Sequence, residues 1–379
     1  MTRLGGGAAP GYGPVADAFV AGLAEPEASG AALSVWHEGR EVVDVWAGVA
    51  DARDGRPWTR DTVTVLFSCS KGLAALVLAR LHAASRLDLD APIASVWPEF
   101  AAHGKGGVSV ADVLAHRAGV SAPIADLGLD DVLDSSRFAA RLAAQEPLWR
   151  PGTAHAYHAI TYGAIVEEIV RRATGRELHD VFAAEIAAPL DADVSLMPDA
   201  ALLARVAHLT TTPAYTRRAA EAGEWLERAA TLGGAFPRTL VDGDRGFNDH
   251  RVLAAGLSAA GGIGTASGLA RIWAATVRET RGVRLLGDDD VARLSAVRSE
   301  GPWFFDPLPP YPRWGAGVQL ASDATPWLTP ASFGHTGAGG QAGFADPGLG
   351  IGFGYVSNRM DVADRVSSIL QALGRVVRR

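Results

Sequence analysis

The chain has 379 residues, 48% of them hydrophobic and 20% charged, enough for one large domain or two interleaved ones around a sizeable core. Its formal net charge of −7 and the lack of any basic run argue against a nucleic-acid surface, which needs clustered Lys and Arg. A single cysteine, Cys69, excludes an internal disulfide framework. The opening segment, Met1 to Pro10, has no apolar stretch of the length a signal peptide requires, and no later run is long enough to span a bilayer. A soluble cytoplasmic protein without membrane contact is therefore expected.

In chain order, a short helix is predicted near Ala16 to Leu23. The runs Ala32–His37 and Glu41–Trp46 flank Glu38-Gly39-Arg40, the pattern of a β-hairpin with a glycine turn. From Gly72 to Leu81 helix formers follow one another almost without a polar residue, which predicts a buried helix. The chain stays helical in pattern from about Leu73 to Leu240. Within that stretch, Gly163 to Thr174 repeats apolar residues at helical spacing and stops at Gly175. Strand patterns return in Trp314–Leu320, Ser332–His335, Gln341–Ala345 and Gly350–Tyr355, expected as an antiparallel meander. A last helix should carry Val362, Val366, Leu370, Leu373 and Val377 on one side. Asp361 and Asp364 near its start and Arg375, Arg378 and Arg379 near its end suit the helix dipole. The proline-rich stretch Pro302 to Pro312 holds Trp303, Phe304, Phe305 and Tyr311, too aromatic for a flexible linker, and reads either as a loop over a site or as a packed surface loop. The expected fold class is α+β. An antiparallel sheet flanked by helices would come from both chain ends, residues 1–72 and 251–379, with a mainly helical domain, residues 73–250, inserted between them.

Only two of the 35 basic residues are lysines, Lys71 and Lys105. Where arginine serves nearly everywhere, lysine is kept most readily for a task arginine cannot do, giving up a proton near neutral pH. Lys71 closes Ser68-Cys69-Ser70-Lys71. If Ser68 opens the buried helix, the Lys71 amine lies one turn on, on the same face, within reach of the Ser68 hydroxyl. The same geometry turns Ser70 away and weakens Cys69 as a nucleophile.

This tetrad resembles the serine motif of the β-lactamase and penicillin-binding-protein superfamily, Ser-x-x-Lys at the start of a central helix. Two further motifs follow in that family's order. Trp149 to Gly163 is similar to the loop that carries a tyrosine in class C β-lactamases and their esterase relatives, with Tyr157 as the match and Tyr162 belonging to the next helix. His335-Thr336-Gly337 resembles the Lys-Thr-Gly or His-Thr-Gly triplet on an edge of the sheet. Val113–Val120 and Gly352–Met360 extend the likeness over most of the chain. The resemblance implies a β-lactamase/transpeptidase-like fold with Ser68, Lys71 and Tyr157 as the catalytic set. It also implies an oxyanion hole from the backbone N–H groups of Ser68 and Ala338, and substrate contacts from His335, Thr336 and Gly337.

An ester carbonyl needs an attacking oxygen, a base for its proton, an acid for the leaving group and donors for the developing oxyanion. Ser68 would attack, and either neutral Lys71 or the Tyr157 phenolate would take the proton; with ordinary values near ~10 for both, one of them must be depressed. His116 and His250 read as structural. Gly337 to Ala342 formally matches a loose dinucleotide fingerprint, yet no helix or βαβ unit follows it, and no metal or Walker-type motif appears, so no cofactor is expected. Two departures from class C β-lactamases bear on substrate. Ala159 stands where they carry asparagine, and His335 where they carry lysine. Those two groups help hold the amide and carboxylate of a β-lactam, so their loss points to neutral acyl substrates, as in family VIII carboxylesterases. The expected activity is that of a serine carboxylesterase working through an acyl-Ser68 intermediate on a small-molecule ester with a small or medium acyl group. The alternatives are an acyltransferase using the same residues, a β-lactamase or D-Ala peptidase, and a non-catalytic binding protein on the same fold.

Overall fold

The structure, a computed structural model, describes residues 4–305 and 308–378. Met1 to Arg3, Asp306 and Pro307 of the proline-rich stretch, and Arg379 at the end of the last helix lie outside the described residues.

Strand β1 (Gly5–Ala8), the hairpin of β2 (Gly30–His37) and β3 (Arg40–Asp51), and the short β4 (Arg56–Pro57) come from the N-terminal end. Strands β5 (Arg313–Trp314), β6 (Gln319–Leu320), β7 (Phe333–Gly337), β8 (Gln341–Asp346) and β9 (Ile351–Ser357) come from the C-terminal end. They form a nine-stranded antiparallel sheet in the order β1-β3-β2-β9-β8-β7-β6-β5, with β4 beside β3. The two chain ends join where β2 lies on β9, with Ala31 opposite Ser357 and His37 opposite Ile351. The helices that matter to the site and the layers are α1 (Gly13–Ala21), α2 (Cys69–Ala83), α3 (Thr161–Thr174), α4 (Pro213–Ala220), α5 (Glu224–Thr231), α6 (Ala266–Val277) and α7 (Val366–Val377).

The period of two along β9 separates the layers. Ile351, Phe353 and Tyr355 pack with Phe19 of α1 and Ile369 and Leu373 of α7 in one apolar cluster. Gly352 and Gly354 face the other way, toward α6. A Cβ on Gly352 would lie 2.4 Å from the Ala274 nitrogen and 2.5 Å from the Ala270 oxygen, so helix and sheet backbones meet with no side chain between them. Helix α2 is buried on all sides along Cys69–Ala79, which its unbroken apolar sequence requires. It packs on β7 and also on α3.

Several expectations need correcting. Trp314–Leu320 is not one strand but a tight hairpin, β5 and β6, in which Trp314 pairs with Gln319 and the Gly315 N–H donates to the Val318 oxygen at 2.9 Å. The glycine-rich sequence reads as a strand by composition, while the turn within it is set by packing against Leu294. Val362 is 49% exposed and precedes the last helix, which starts at Val366 behind Asp364; the Asp364 side chain accepts from the Val366 and Ser367 N–H groups. The middle of the chain is not wholly helical. Val194–Ser195 pairs with Ile263–Gly264, and Thr210–Thr211 runs parallel to Arg359–Met360, tying this stretch to the C-terminal part of the chain. A boundary at residue 72 falls inside α2, so one helix serves both parts, and a single apolar cluster runs through them. Among the described residues no helix is long and apolar enough to cross a membrane.

The close approach of α6 to β9 leads to a stability test. Gly352→Val should cost about 1–3 kcal/mol through overpacking, seen as a lower urea midpoint with an unchanged slope. A midpoint equal to the wild type would mean that the two layers have room to separate.

Candidate active site

A joint of strand, turn and helix positions Ser68. After the short strand Thr64–Val65, Phe67 turns the chain with φ +45°, a left-handed conformation that a bulky residue adopts only where its surroundings enforce it. The Phe247 ring holds it edge-on at 5.1 Å. Ser68 then caps α2, half-buried, while Cys69, Ser70 and Lys71 are buried.

The three neighbours of Ser68 are each committed differently. The Cys69 thiol donates to the His335 backbone oxygen at 3.1 Å, and burial pushes it well above the ordinary thiol range. The Ser70 hydroxyl accepts from the Gly262 N–H at 3.0 Å. Lys71 alone turns back to Ser68, with Nζ 3.2 Å from Ser68 Oγ, 2.6 Å from the Ala159 oxygen and 2.9 Å from the Ala259 oxygen. Burial pulls its ammonium well below the usual lysine range.

Tyr157 reaches the same point from the loop before α3. Its ring lies between Trp303, at 6.0 Å and 15°, and Trp314, at 5.3 Å and 20°. The Lys71 amine sits 4.8 Å from its ring centroid. Burial pushes the phenol up, opposed in part by a hydrogen bond with Ser68. Tyr162 is buried in α3, and its hydroxyl donates to the Lys71 backbone oxygen at 3.3 Å, a packing role.

His116 clamps the tyrosine loop. Its backbone oxygen accepts from Ala156 N–H at 3.2 Å and its Nδ1 accepts from His158 N–H at 3.3 Å, one bond on each side of Tyr157. Its ring edge packs on the Tyr157 ring at 4.8 Å, and its φ of +63° is again left-handed. The sequence reading of His116 as structural therefore understates it; its place inside Val113–Val120, one of the segments carrying the family likeness, was the available signal. Trp303 and Trp314 were also missed as partners of Tyr157, and no local pattern links residues so far apart.

The third motif ends on β7. A Cβ on Gly337 would lie 2.5 Å from the Leu66 oxygen, so glycine lets the strand end come against the turn before Ser68. Thr336 is held by Gln319, whose Oε1 accepts from its N–H at 2.8 Å and its hydroxyl at 2.9 Å. Ser68, Tyr157, Thr336, Gly337 and Ala338 line one cavity of 430 Å³. The N–H groups of Ser68 and Ala338 have no acceptor among the described residues. His335 differs from the expected substrate contact. It lines neither this cavity nor the adjoining one of 260 Å³, because the strand alternation turns it toward α2 at Gly72. Its Nδ1–H donates to the Thr336 oxygen at 2.6 Å, and burial, with the nearby Lys71 charge adding to it, lowers its pKa to about 3. A larger cavity of 580 Å³, around Arg60 and Arg271, contains none of these residues. Among the described residues no group of His, Cys, Asp and Glu could hold a metal ion.

Comparison with known proteins identifies the family and the fold. The Beta-lactamase family profile matches residues 15–374. Esterase/beta-lactamase LipL of Mycobacterium tuberculosis is 33% identical over 365 residues, covering 94% of this chain and 83% of that protein. The crystal structure of a family VIII carboxylesterase superposes with a TM-score of 0.88 at 32% identity, over 99% of this chain and 100% of that one. A penicillin-binding-protein homolog from Caulobacter crescentus superposes with a TM-score of 0.87 at 31% identity, over 99% and 100% of the two chains. With the profile spanning nearly the whole chain, and with the serine, tyrosine and His-Thr-Gly motifs meeting around one cavity, this protein belongs to the Beta-lactamase family.

Proposed function

We propose that this protein is a serine carboxylesterase that works through an acyl-Ser68 intermediate, with Lys71 as general base and Tyr157 as general acid. The observation that carries the reading is the setting of the Lys71 amine. A neutral amine has two N–H groups and one lone pair. Carbonyl oxygens can only accept, so Ala159 and Ala259 engage the two N–H groups and leave the lone pair facing the Ser68 hydroxyl. Burial favours that neutral form. The same burial keeps the Tyr157 phenol protonated, which suits an acid rather than a base.

The chemistry follows in order. Ser68 Oγ attacks the ester carbonyl carbon as its proton passes to Lys71 Nζ. The oxyanion meets the N–H groups of Ser68 and Ala338. Tyr157 gives its proton to the departing alkoxide and regains one from the Lys71 ammonium. Water then attacks the acyl-enzyme, its proton taken by neutral Lys71, and Ser68 leaves with a proton restored. Substrate choice rests on two positions. The Ala159 side chain contributes to the apolar wall of the 260 Å³ cavity, and His335 is a buried neutral imidazole away from both cavities. Neither offers the amide or the cation that would hold a β-lactam. The family VIII carboxylesterase structure supports the same direction, while the name of LipL carries both esterase and beta-lactamase.

Intact mass after reaction with a fluorophosphonate should show one adduct, lost in Ser68→Ala and kept in Cys69→Ala. An adduct that disappears with Cys69 instead would reject the nucleophile assignment.

Lys71→Arg keeps a cation that cannot lose its proton, and Tyr157→Phe removes the acid, so turnover should fall about a hundredfold or more in each with the fold intact. A base works deprotonated, so wild-type kcat/KM should rise with pH through a Lys71 value below the ordinary lysine range and show no second limb from Tyr157 at mildly alkaline pH. Wild-type turnover in either variant, or a rate that falls as pH rises through neutrality, would contradict Lys71 as base and Tyr157 as acid.

Short-chain p-nitrophenyl esters should be hydrolysed well and a chromogenic cephalosporin poorly. Each missing charge-assisted bond is worth about 1.5–3 kcal/mol, roughly tenfold to a hundredfold in relative efficiency. A preference for the cephalosporin would replace the esterase reading with a β-lactamase.

A further inference from the structure

Two cavities meet at Ser68, Tyr157 and Ala338, and they differ in chemistry. The 260 Å³ chamber is walled largely by small apolar residues, among them Ala159, Ala219, Ala222, Ala230 and Ala260. The 430 Å³ chamber is aromatic and mixed in polarity, with Trp303, Tyr311, Trp314 and Gln319 in its wall. An acyl chain offers only methylenes and fits the first. An alcohol half that is broader and more polar fits the second.

Arg218 lines both chambers. It lies in the last turn of α4, exposed at the seam between them. Among the described residues it is the only charged residue lining the larger chamber, and it makes no hydrogen bond or ion pair there. In the smaller chamber the other charges cancel, because Arg238 pairs with Glu227 at 2.6 Å. His335 is uncharged and turned away, so the position where class C β-lactamases carry lysine supplies no cation to the substrate. Among the described residues the cleft is left with one guanidinium that no carboxylate pairs, in a chain whose net charge is −7. A guanidinium offers a planar pair of donors that matches a carboxylate, and an exposed one loses little hydration by meeting it.

We propose that Arg218 determines specificity for esters whose alcohol half carries a carboxylate, with the acyl half in the alanine-lined chamber. This rests on the ester-hydrolase reading and names the substrate class for it.

The test uses two ester pairs of matched shape. In para-hexanoyloxybenzoate and para-hexanoyloxybenzamide the charge difference lies on the alcohol half. In the p-nitrophenyl monoester of adipic acid and the corresponding monoamide it lies on the acyl half. The kcat/KM ratio of charged to neutral ester is compared between wild type and Arg218→Gln, which cancels the intrinsic reactivities. For the alcohol-half pair the ratio should fall about fivefold, mainly through KM of the benzoate, and Arg218→Lys should keep part of it. The acyl-half ratio should stay within about twofold, well under one such pairing energy. An alcohol-half ratio unmoved by Arg218→Gln overturns the proposal, and so does a response confined to the acyl-half pair. If wild type hydrolyses none of the four esters, the ester-hydrolase reading itself falls.

Discussion

The site depends on one buried amine held by two backbone oxygens. Lys71 is fully buried with no carboxylate paired to it among the described residues, and the carbonyl dipoles, the Ser68 hydroxyl and the Tyr157 ring that face it do not outweigh the loss of hydration. Those two carbonyls come from distant parts of the chain, Ala159 before α3 and Ala259 before α6. The direction in which the amine points is therefore a property of the whole fold. The tyrosine loop must sit at the right depth to present Ala159, and that depth is fixed by the His116 clamp and by the tryptophans on each side of Tyr157. The Ser68 hydroxyl, the Lys71 amine and the Tyr157 phenol are thus coupled through backbone position as much as through their own contacts.

The architecture explains how such precision is held. Ser68 stands at the start of a helix buried on every side, and β7 closes against the turn before it. β7 is in turn an inner strand of the sheet, fixed by register on both sides. Helix α6 locks the far end by backbone contact with β9. By contrast, α4, α5 and the aromatic loop carry the walls of the cleft and not its reacting atoms. Fixed machinery with separately built walls fits a family that keeps one acyl-enzyme chemistry while its substrates vary.

What the sequence disclosed and what it hid divide along contact range. Ser68 and Lys71 were legible because one helical turn links them, and the His335-Thr336-Gly337 triplet was legible because it is contiguous, although it lies on an inner strand and not on the expected edge. The union of both chain ends in one sheet followed from where strand patterns occur. The β5–β6 hairpin was misread because its alternating apolar residues look like a strand, while Gly317 at φ +83° turns the chain and the Leu294 backbone oxygen accepts from the Ala316 N–H at 2.9 Å. His335 was assigned by motif to the substrate, yet strand alternation sends it to α2; motif position fixes a residue in the chain, and pleat fixes where its side chain goes. The tryptophans around Tyr157 lie about 150 residues further along the chain, beyond any periodicity.

Lysine scarcity singles out Lys71 in the sequence, and the structure changes what that scarcity means. Both lysines are fully buried, and Lys105 also donates to backbone oxygens, those of Ala102 and Gln145. Burial lowers its ammonium too. Scarcity therefore marks burial among carbonyls, and burial alone is not chemistry. What separates the two is the third neighbour. Lys71 has a hydroxyl within 3.2 Å that also faces a cavity, and Lys105 has the Phe100 ring at 5.7 Å. A depressed amine can serve as a base only where a proton worth taking lies on its lone-pair side, and of the two lysines Lys71 is the one with a hydroxyl there.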